Sequence, residues 1–144
     1  MTINVSQNNE STILCTESGN ALGIDNAYFD ADYLVQHKLV TNTAQGRGTV
    51  YFFKLNNTQL VLRHYKRGGL VAKVNDDKFV YSGNKNTRCY KEIEVLQKLR
   101  EAKVNVPEAI AGRIVKNGLF YSADIITKVI DNAIELHEVL QKNK

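Results

Sequence analysis

The 144-residue sequence has one proline, two cysteines, no tryptophan and no long apolar run. No stretch approaches the roughly 20 apolar residues that a membrane-spanning helix needs, so we expect no transmembrane segment. Residues 1–10 have neither a basic start nor an apolar stretch and predict no secretory signal. Cys15 and Cys89 stand alone, without metal-site or disulfide-framework spacing. We therefore expect two reduced thiols in a cytosolic protein.

The charge of the chain is concentrated in its middle. With 43% hydrophobic and 24% charged residues, the composition is that of one globular domain. Residues 1–40 carry one lysine against five acidic side chains, whereas residues 63–91 carry eight Lys and Arg against two Asp. A basic centre indicates an anionic partner, such as nucleotide phosphates, a lipid head group or nucleic acid; a solvated basic surface fits it equally well.

The hydrophobic pattern predicts an α+β fold, an antiparallel sheet of about five strands with one main packing helix. Residues 1–26 are expected to form a flexible tail, because their first part is rich in Asn, Ser and Thr. Glycine, asparagine and proline mark the turns between the later segments. The predicted elements are a short helix over Ala27–Leu39, strands over Thr49–Leu55, Gln59–Tyr65, Lys78–Tyr81, Ala109–Val115 and Leu119–Thr127, a helix over Thr87–Lys103, and a last helix over Asn132–Gln141.

Three features in this order carry chemistry. Gly46 and Gly48 open a strand, where glycine lets backbone N–H groups approach a phosphate. Arg63 ends the apolar run of the next strand, and a guanidinium binds phosphate through a planar fork. Glu92 falls in an apolar helix stripe, where a carboxylate needs a partner or a cleft. Alone, each also fits a simple turn, an exposed arginine or a glutamate at the stripe margin. Together they follow the order of glycine loop, strand cation and helix glutamate in protein kinases.

Longer strings make the likeness more specific. They are Ala44-Gln-Gly-Arg-Gly-Thr49, Leu60-Val-Leu-Arg-His-Tyr-Lys-Arg-Gly-Gly-Leu70, Thr87-Arg88 with Glu92-Ile-Glu-Val-Leu96, Val106-Pro107 and Gly118-Leu-Phe-Tyr-Ser-Ala-Asp124. Over about residues 29–138, the sequence resembles the amino-terminal lobe of the lipopolysaccharide kinase family, protein-kinase-like enzymes that include kinases of 3-deoxy-D-manno-octulosonic acid (Kdo).

This resemblance implies ATP-dependent phosphorylation, with Mg²⁺, of the Kdo 4-hydroxyl on a Kdo–lipid A precursor. It implies a peripheral location on the cytoplasmic face of the inner membrane. Gly46, Arg47 and Gly48 would cover the ATP phosphates, Arg63 would hold them and Glu92 would orient Arg63.

The resemblance also predicts how the chain divides. Residues 27–127 would form the kinase-like lobe, and residues 128–144 a hinge and the first helix of a missing second lobe. Thr127 would lie beside the adenine, within a hinge segment over residues 126–130. From the charge pattern, we expect Lys66, Arg67 and Lys73 to meet an anionic sugar or lipid phosphate, with surface solvation as the alternative.

The sequence departs from the kinase pattern in what it lacks. It has no His-x-Asp and no Asp-Phe-Gly string, and its only aspartates after Glu92 are Asp124 and Asp131. We therefore expect the catalytic base and the metal ligands outside these residues, with no catalytic or metal-binding residue within them and no turnover by them alone. An uncovered cleft face would favour self-association.

Two other functions fit the same residues. The first is a non-catalytic module that binds nucleotide or anionic lipid. The second is a nucleic-acid-binding domain with Tyr65, Tyr81 and Tyr90 as base-stacking groups, which we do not expect because no RNA-binding signature accompanies them. His64 is interpreted as a structural or surface histidine rather than a base.

Overall fold

The computed structural model describes residues 3–8, 11–46, 48–66 and 77–129. These residues form an antiparallel sheet with helices on both of its faces, which confirms the predicted α+β class. The strands are β1 (Asn4–Gln7), β2 (Ser11–Cys15), β3 (Val40–Gly46), β4 (Gly48–Leu55), β5 (Thr58–His64), β6 (Phe79–Val80), β7 (Glu108–Asn117) and β8 (Phe120–Lys128). The helices are α1 (Glu17–Leu22), α2 (Ala31–Gln36) and α3 (Arg88–Glu101), with 3₁₀ turns at Asn26–Phe29 and Asn84–Asn86.

The strand order is β1-β2-β7-β8-β5-β4-β3, and β6 pairs with β8. Both predicted hairpins are confirmed. Asn56 and Asn57 have φ values of 49° and 64° between β4 and β5, the positive values that tight two-residue hairpins require. The second hairpin joins β7 to β8 through Gly118. The order places β5 beside β8, at the centre of the sheet.

The main helix, predicted over residues 87–103, is confirmed as α3, which lies on β7. Its residues Cys89 and Ile93 are fully buried. A Cβ atom at Gly112 would lie 3.2 Å from Cys89 Cβ and 3.2 Å from Ile93 Cδ1, so glycine permits this close approach of helix and strand. The contact fixes the first turns of α3 beside the sheet, and Glu92 lies in these turns.

The sheet separates two cores. One contains Phe29 and Leu34, from the 3₁₀ turn and α2, packed against Leu60 and Leu62 of β5. The other contains Ile93 of α3 with residues such as Tyr65 and Ile125. Successive side chains of a strand point to opposite faces, so β5 contributes to both.

The predicted flexible tail is wrong for the described residues before Ala27. Every residue of β2 is buried, and β2 pairs with β7 along its whole length. Ile13 enters the core of α2, whereas Leu14 enters the core of α3. The polar residues around β2 suggested a tail, but pairing with a central strand determines the structure.

The strand count is corrected for the same reason. About five strands were predicted, and the described residues form eight, because β1, β2 and β3 lie in sequence too polar to indicate strands. Residues 126–128 of the predicted hinge segment lie in the sheet, because β8 continues through Lys128. The helix predicted over residues 132–141 lies outside the described residues. None of the described helices is long and apolar enough to span a membrane.

Both cysteines are free, as the sequence predicted, and both are buried. Burial raises the pKa of the Cys15 thiol and raises that of Cys89 to about 11. The thiol, and not the reactive thiolate, is therefore the form of both side chains near neutral pH. Neither cysteine is a candidate nucleophile, and both act as small core residues.

Candidate functional site

The structure brings Arg63 and Glu92 together, as the sequence predicted. Arg63 is near the end of β5, and Glu92 is in the second turn of α3. The Arg63 Nη2 atom lies 2.5 Å from Glu92 Oε2. The side chains remain 43% and 30% exposed, so the pair is accessible to a ligand. A charged guanidinium on an open surface, held by one carboxylate, has further N–H groups that can bind a phosphate.

Tyr65 is the third member of this site, and sequence reasoning missed its role. Its hydroxyl donates a hydrogen bond of 2.7 Å to Glu92 Oε1. The Arg63 guanidinium carbon lies 5.2 Å from the centre of the Tyr65 ring, within cation–π range. Burial and the hydrogen bond to Glu92 raise the pKa of Tyr65, so its hydroxyl stays protonated. The available signal was the spacing, because residues 63 and 65 share a face of one strand.

A row of half-buried side chains crosses the sheet next to this site. Val61 pairs with Phe52 of β4 on one side and with Thr127 of β8 on the other. Val61 is two residues from Arg63 on β5, so the row lies on the same face as Arg63. All three members of the row are only half buried. A partly apolar surface beside a cation suits a nucleotide base next to its phosphates. Thr127, a predicted ATP-binding residue, is part of it.

The glycine turn approaches the site through Lys66. Gly46 ends β3 and pairs with Gly48, the first residue of β4, which has a φ of 90°. A Cβ at position 48 would lie 3.2 Å from Lys66 Cε, so the lysine packs directly over the turn. The structure thus places Lys66 at the glycine turn, two residues beyond the strand that carries Arg63. The predicted residues Arg47, Arg67 and Lys73 lie outside the described residues.

A second ionic cluster lies on the opposite face of the sheet. His64 Nδ1 lies 2.6 Å from Asp124 Oδ1, and its Nε2 lies 3.0 Å from Asp77 Oδ2. Arg113 donates to Asp124 Oδ2 over 3.1 Å from Nη2 and 3.2 Å from Nε. Arg113 also donates to the backbone oxygen of Phe29 and so joins the sheet to the 3₁₀ turn.

The geometry of this cluster fits the structural role expected for His64. Both nitrogens of its ring face carboxylates, so neither is available as a base. The hydrogen bond with Asp124 is the main cause that raises the pKa of His64. The hydrogen bond with His64 likewise lowers the pKa of Asp77. A cavity of about 480 Å³ borders the cluster between the sheet and the 3₁₀ turn.

The described part of the chain contains no group of three His, Cys, Asp or Glu side chains placed to hold a metal ion. These residues therefore do not form a site that would hold Mg²⁺ through protein ligands alone. They do fit the polyphosphate of a nucleotide, because Arg63 is accessible, its carboxylate partner is fixed from two sides, and Lys66 lies close to a glycine turn.

Comparison with known proteins identifies the family of this chain. The model of the lipopolysaccharide kinase (Kdo/WaaP) family matches residues 32–144. A 3-deoxy-D-manno-octulosonic acid kinase of Vibrio parahaemolyticus is 46% identical over 79% of this chain and 48% of its own length. The protein of the same name from Photobacterium profundum is 41% identical over 81% of this chain and 49% of its own. One from Vibrio vulnificus is 39% identical over 90% and 55%.

The chain spans about half the length of the curated relatives that it matches. No solved structure matches it significantly. The family match covers β3, β4, β5, α3, β7 and β8, the elements that carry Arg63, Glu92 and the half-buried row beside them. The chain therefore belongs to the lipopolysaccharide kinase (Kdo/WaaP) family.

Proposed function

We propose that this chain supplies the nucleotide-binding part of an ATP-dependent kinase that phosphorylates Kdo on a Kdo–lipid A precursor. The observation that carries the proposal is the accessible Arg63–Glu92 pair beside a half-buried row on the sheet. The name shared by the relatives supports Kdo as the acceptor. In the proposed reaction, the Kdo 4-hydroxyl oxygen bonds to the γ-phosphorus of ATP, the bond from that phosphorus to the β-phosphate oxygen breaks, and ADP leaves. The hydroxyl proton passes to a base outside these residues.

The residues take separate roles in binding ATP. Arg63 contacts the phosphates, and Glu92 keeps its guanidinium directed toward them. Gly46, Arg47 and Gly48 cover the phosphates from the glycine turn. The row with Thr127 supports the adenine. Mg²⁺ accompanies ATP in this proposal and neutralises phosphate charge.

The location and partners of the chain are part of the same proposal. Because the acceptor is linked to a lipid, the kinase acts at the cytoplasmic face of the inner membrane. The basic residues Lys66, Arg67 and Lys73 bind anionic head groups there. Retention of the chain by vesicles that contain Kdo–lipid A, and not by neutral vesicles, is the expected result. Self-association through the cleft face stays a prediction, which light scattering tests.

A nucleotide titration tests the core of the proposal. We expect ATP to bind saturably to the 144-residue chain and Arg63→Gln to weaken binding about tenfold or more, as for loss of a charge-assisted contact. Arg100→Gln is the matched control, because Arg100 is 47% exposed and also faces a carboxylate, Glu108 at 4.0 Å. Absence of saturable binding, or equal losses in the two variants, would contradict the proposal.

A second candidate function is a nucleotide- or anionic-lipid-binding module without turnover. The accessible Arg63–Glu92 pair favours it, because this contact accounts for binding a phosphate and assigns none of the described residues to its transfer. We accordingly expect ATP binding without ADP formation when these residues are incubated with Kdo–lipid A, ATP and Mg²⁺. ADP formation that depends on the acceptor would exclude the module and would show catalytic groups within the chain.

A further inference from the structure

We propose that Tyr65 is a positioning residue, which holds the Glu92 carboxylate so that Arg63 stays in the geometry that binds phosphate. This inference rests on the proposed function, because it concerns how the same site is kept ready for a nucleotide. The sequence pattern indicated only Arg63 and Glu92 as partners. The structure adds a third member that contacts both of them.

The first argument concerns the two oxygens of the carboxylate. Arg63 contacts Glu92 Oε2, and the Tyr65 hydroxyl donates to Glu92 Oε1. With one oxygen held by each partner, the carboxylate cannot rotate without breaking a hydrogen bond. An exposed ion pair without such support exchanges among many geometries, which is why most surface pairs add little stability.

The second argument concerns the rigidity of the tyrosine. Tyr65 is only 9% exposed, and its ring belongs to the core that contains Ile93 of α3. An aromatic side chain with two torsion angles, fixed in a core, loses little entropy when its hydroxyl makes a bond. The exposed pair is thereby connected to the rigid centre of the molecule.

The third argument is that Tyr65 also restricts the orientation of the Arg63 guanidinium. The Arg63 guanidinium lies over the Tyr65 ring, 5.2 Å from its centre. The Tyr65 ring and the Glu92 carboxylate therefore hold the cation through two separate contacts. The arrangement favours one guanidinium orientation before any nucleotide arrives, which lowers the entropic cost of binding.

The test uses Tyr65→Phe, which keeps the ring and removes only the hydroxyl. We expect ATP affinity to fall about five- to tenfold, as for loss of one ordinary intramolecular hydrogen bond, because the hydroxyl acts on ATP only through Glu92 and Arg63. In a Glu92→Ala background, the same substitution should change affinity less than twofold, because its target is gone. Tyr81→Phe is the matched control, because the Tyr81 hydroxyl donates to Asn84 Oδ1 over 2.9 Å, away from the site.

A measurement without nucleotide separates this inference from the proposed function. We expect NMR of the free chain to show separate Arg63 Nη signals in the wild type and in Tyr81→Phe, and averaged signals in Tyr65→Phe. Unchanged Arg63 signals, or equal loss of affinity with and without Glu92, would overturn the positioning role. A wild-type chain that orders Arg63 but binds no ATP would leave the positioning intact and would contradict the proposed function alone.

Discussion

Arg63 and His64 are neighbours on one strand, each is paired with a carboxylate, and they lie on opposite faces of the sheet. Arg63 meets Glu92 in a pair that is 43% and 30% exposed. His64 meets Asp124, which is only 5% exposed and also bonds to Arg113. The first pair keeps donor groups available to solvent, and the second uses its groups within the protein. Accessibility, rather than the presence of an ion pair, therefore separates the candidate ligand site from the structural cluster.

The largest expected effect concerns the buried His64–Asp124 contact. Asp124→Asn should lower the free energy of unfolding by about 3 kcal/mol, because two cations would lose a buried counter-charge. Chemical denaturation followed by circular dichroism measures the loss. Asp77→Asn is the matched control: Asp77 also contacts His64 but is 32% exposed, so we expect a loss below about 1 kcal/mol. Equal losses in the two variants would contradict the distinction by burial.

A smaller effect should appear in the pH dependence of stability. The hydrogen bond to Asp124 raises the pKa of His64 in the folded protein, so folding favours the protonated ring. This stabilisation is complete below the pKa of an unfolded histidine, about 6.5, and is lost as the pH rises through the higher folded-state value. We expect the free energy of unfolding to fall as the pH rises above about 6.5.

Two histidine variants identify the source of this pH dependence. His64→Asn should remove the fall in stability, and His37→Asn should keep it, because His37 contacts Tyr33 rather than a carboxylate. Persistence of the fall in His64→Asn would show that other groups cause it.

The smallest expected effect concerns the accessible Arg63–Glu92 pair. Glu92→Gln should change the free energy of unfolding by less than about 1 kcal/mol, because exposed ion pairs contribute little to stability. The same denaturation experiment measures it, with Asp124→Asn as the reference. If Glu92→Gln destabilised the fold as strongly as Asp124→Asn, the Arg63–Glu92 pair would be a structural element and not an open site.

The sequence indicated the Arg63–Glu92 contact better than the His64–Asp124 contact. Gly48, Arg63 and Glu92 follow a kinase-like order, so likeness alone placed them in one site. The His64–Asp124 contact joins residues 60 positions apart through the register of β5 and β8, which no local pattern indicates. Tyr65 was visible only through its two-residue spacing from Arg63.

The helices and strands likewise differ in how well local sequence predicted them. Both hairpins and α3 have strong local signals, in turn residues and helical periodicity, and all were predicted. Residues 11–15 were assigned to a tail because local polarity outweighed the short run of Ile13, Leu14 and Cys15. Their burial comes from pairing with β7, whose residues lie about a hundred positions away. Strand formation that depends on a distant partner is the part of the fold that local sequence indicates least.

The most direct test compares the two faces of β5 with one ligand. Val61 lies on the Arg63 face, and its neighbours Leu60 and Leu62 lie in the core of the other face. Methyl NMR during a titration with ATP reports on all three. The account predicts saturable shifts of the Val61 methyl signals with Leu60 and Leu62 unchanged. Shifts confined to the leucines, or no shifts at all, would contradict a nucleotide site at Arg63 and Glu92.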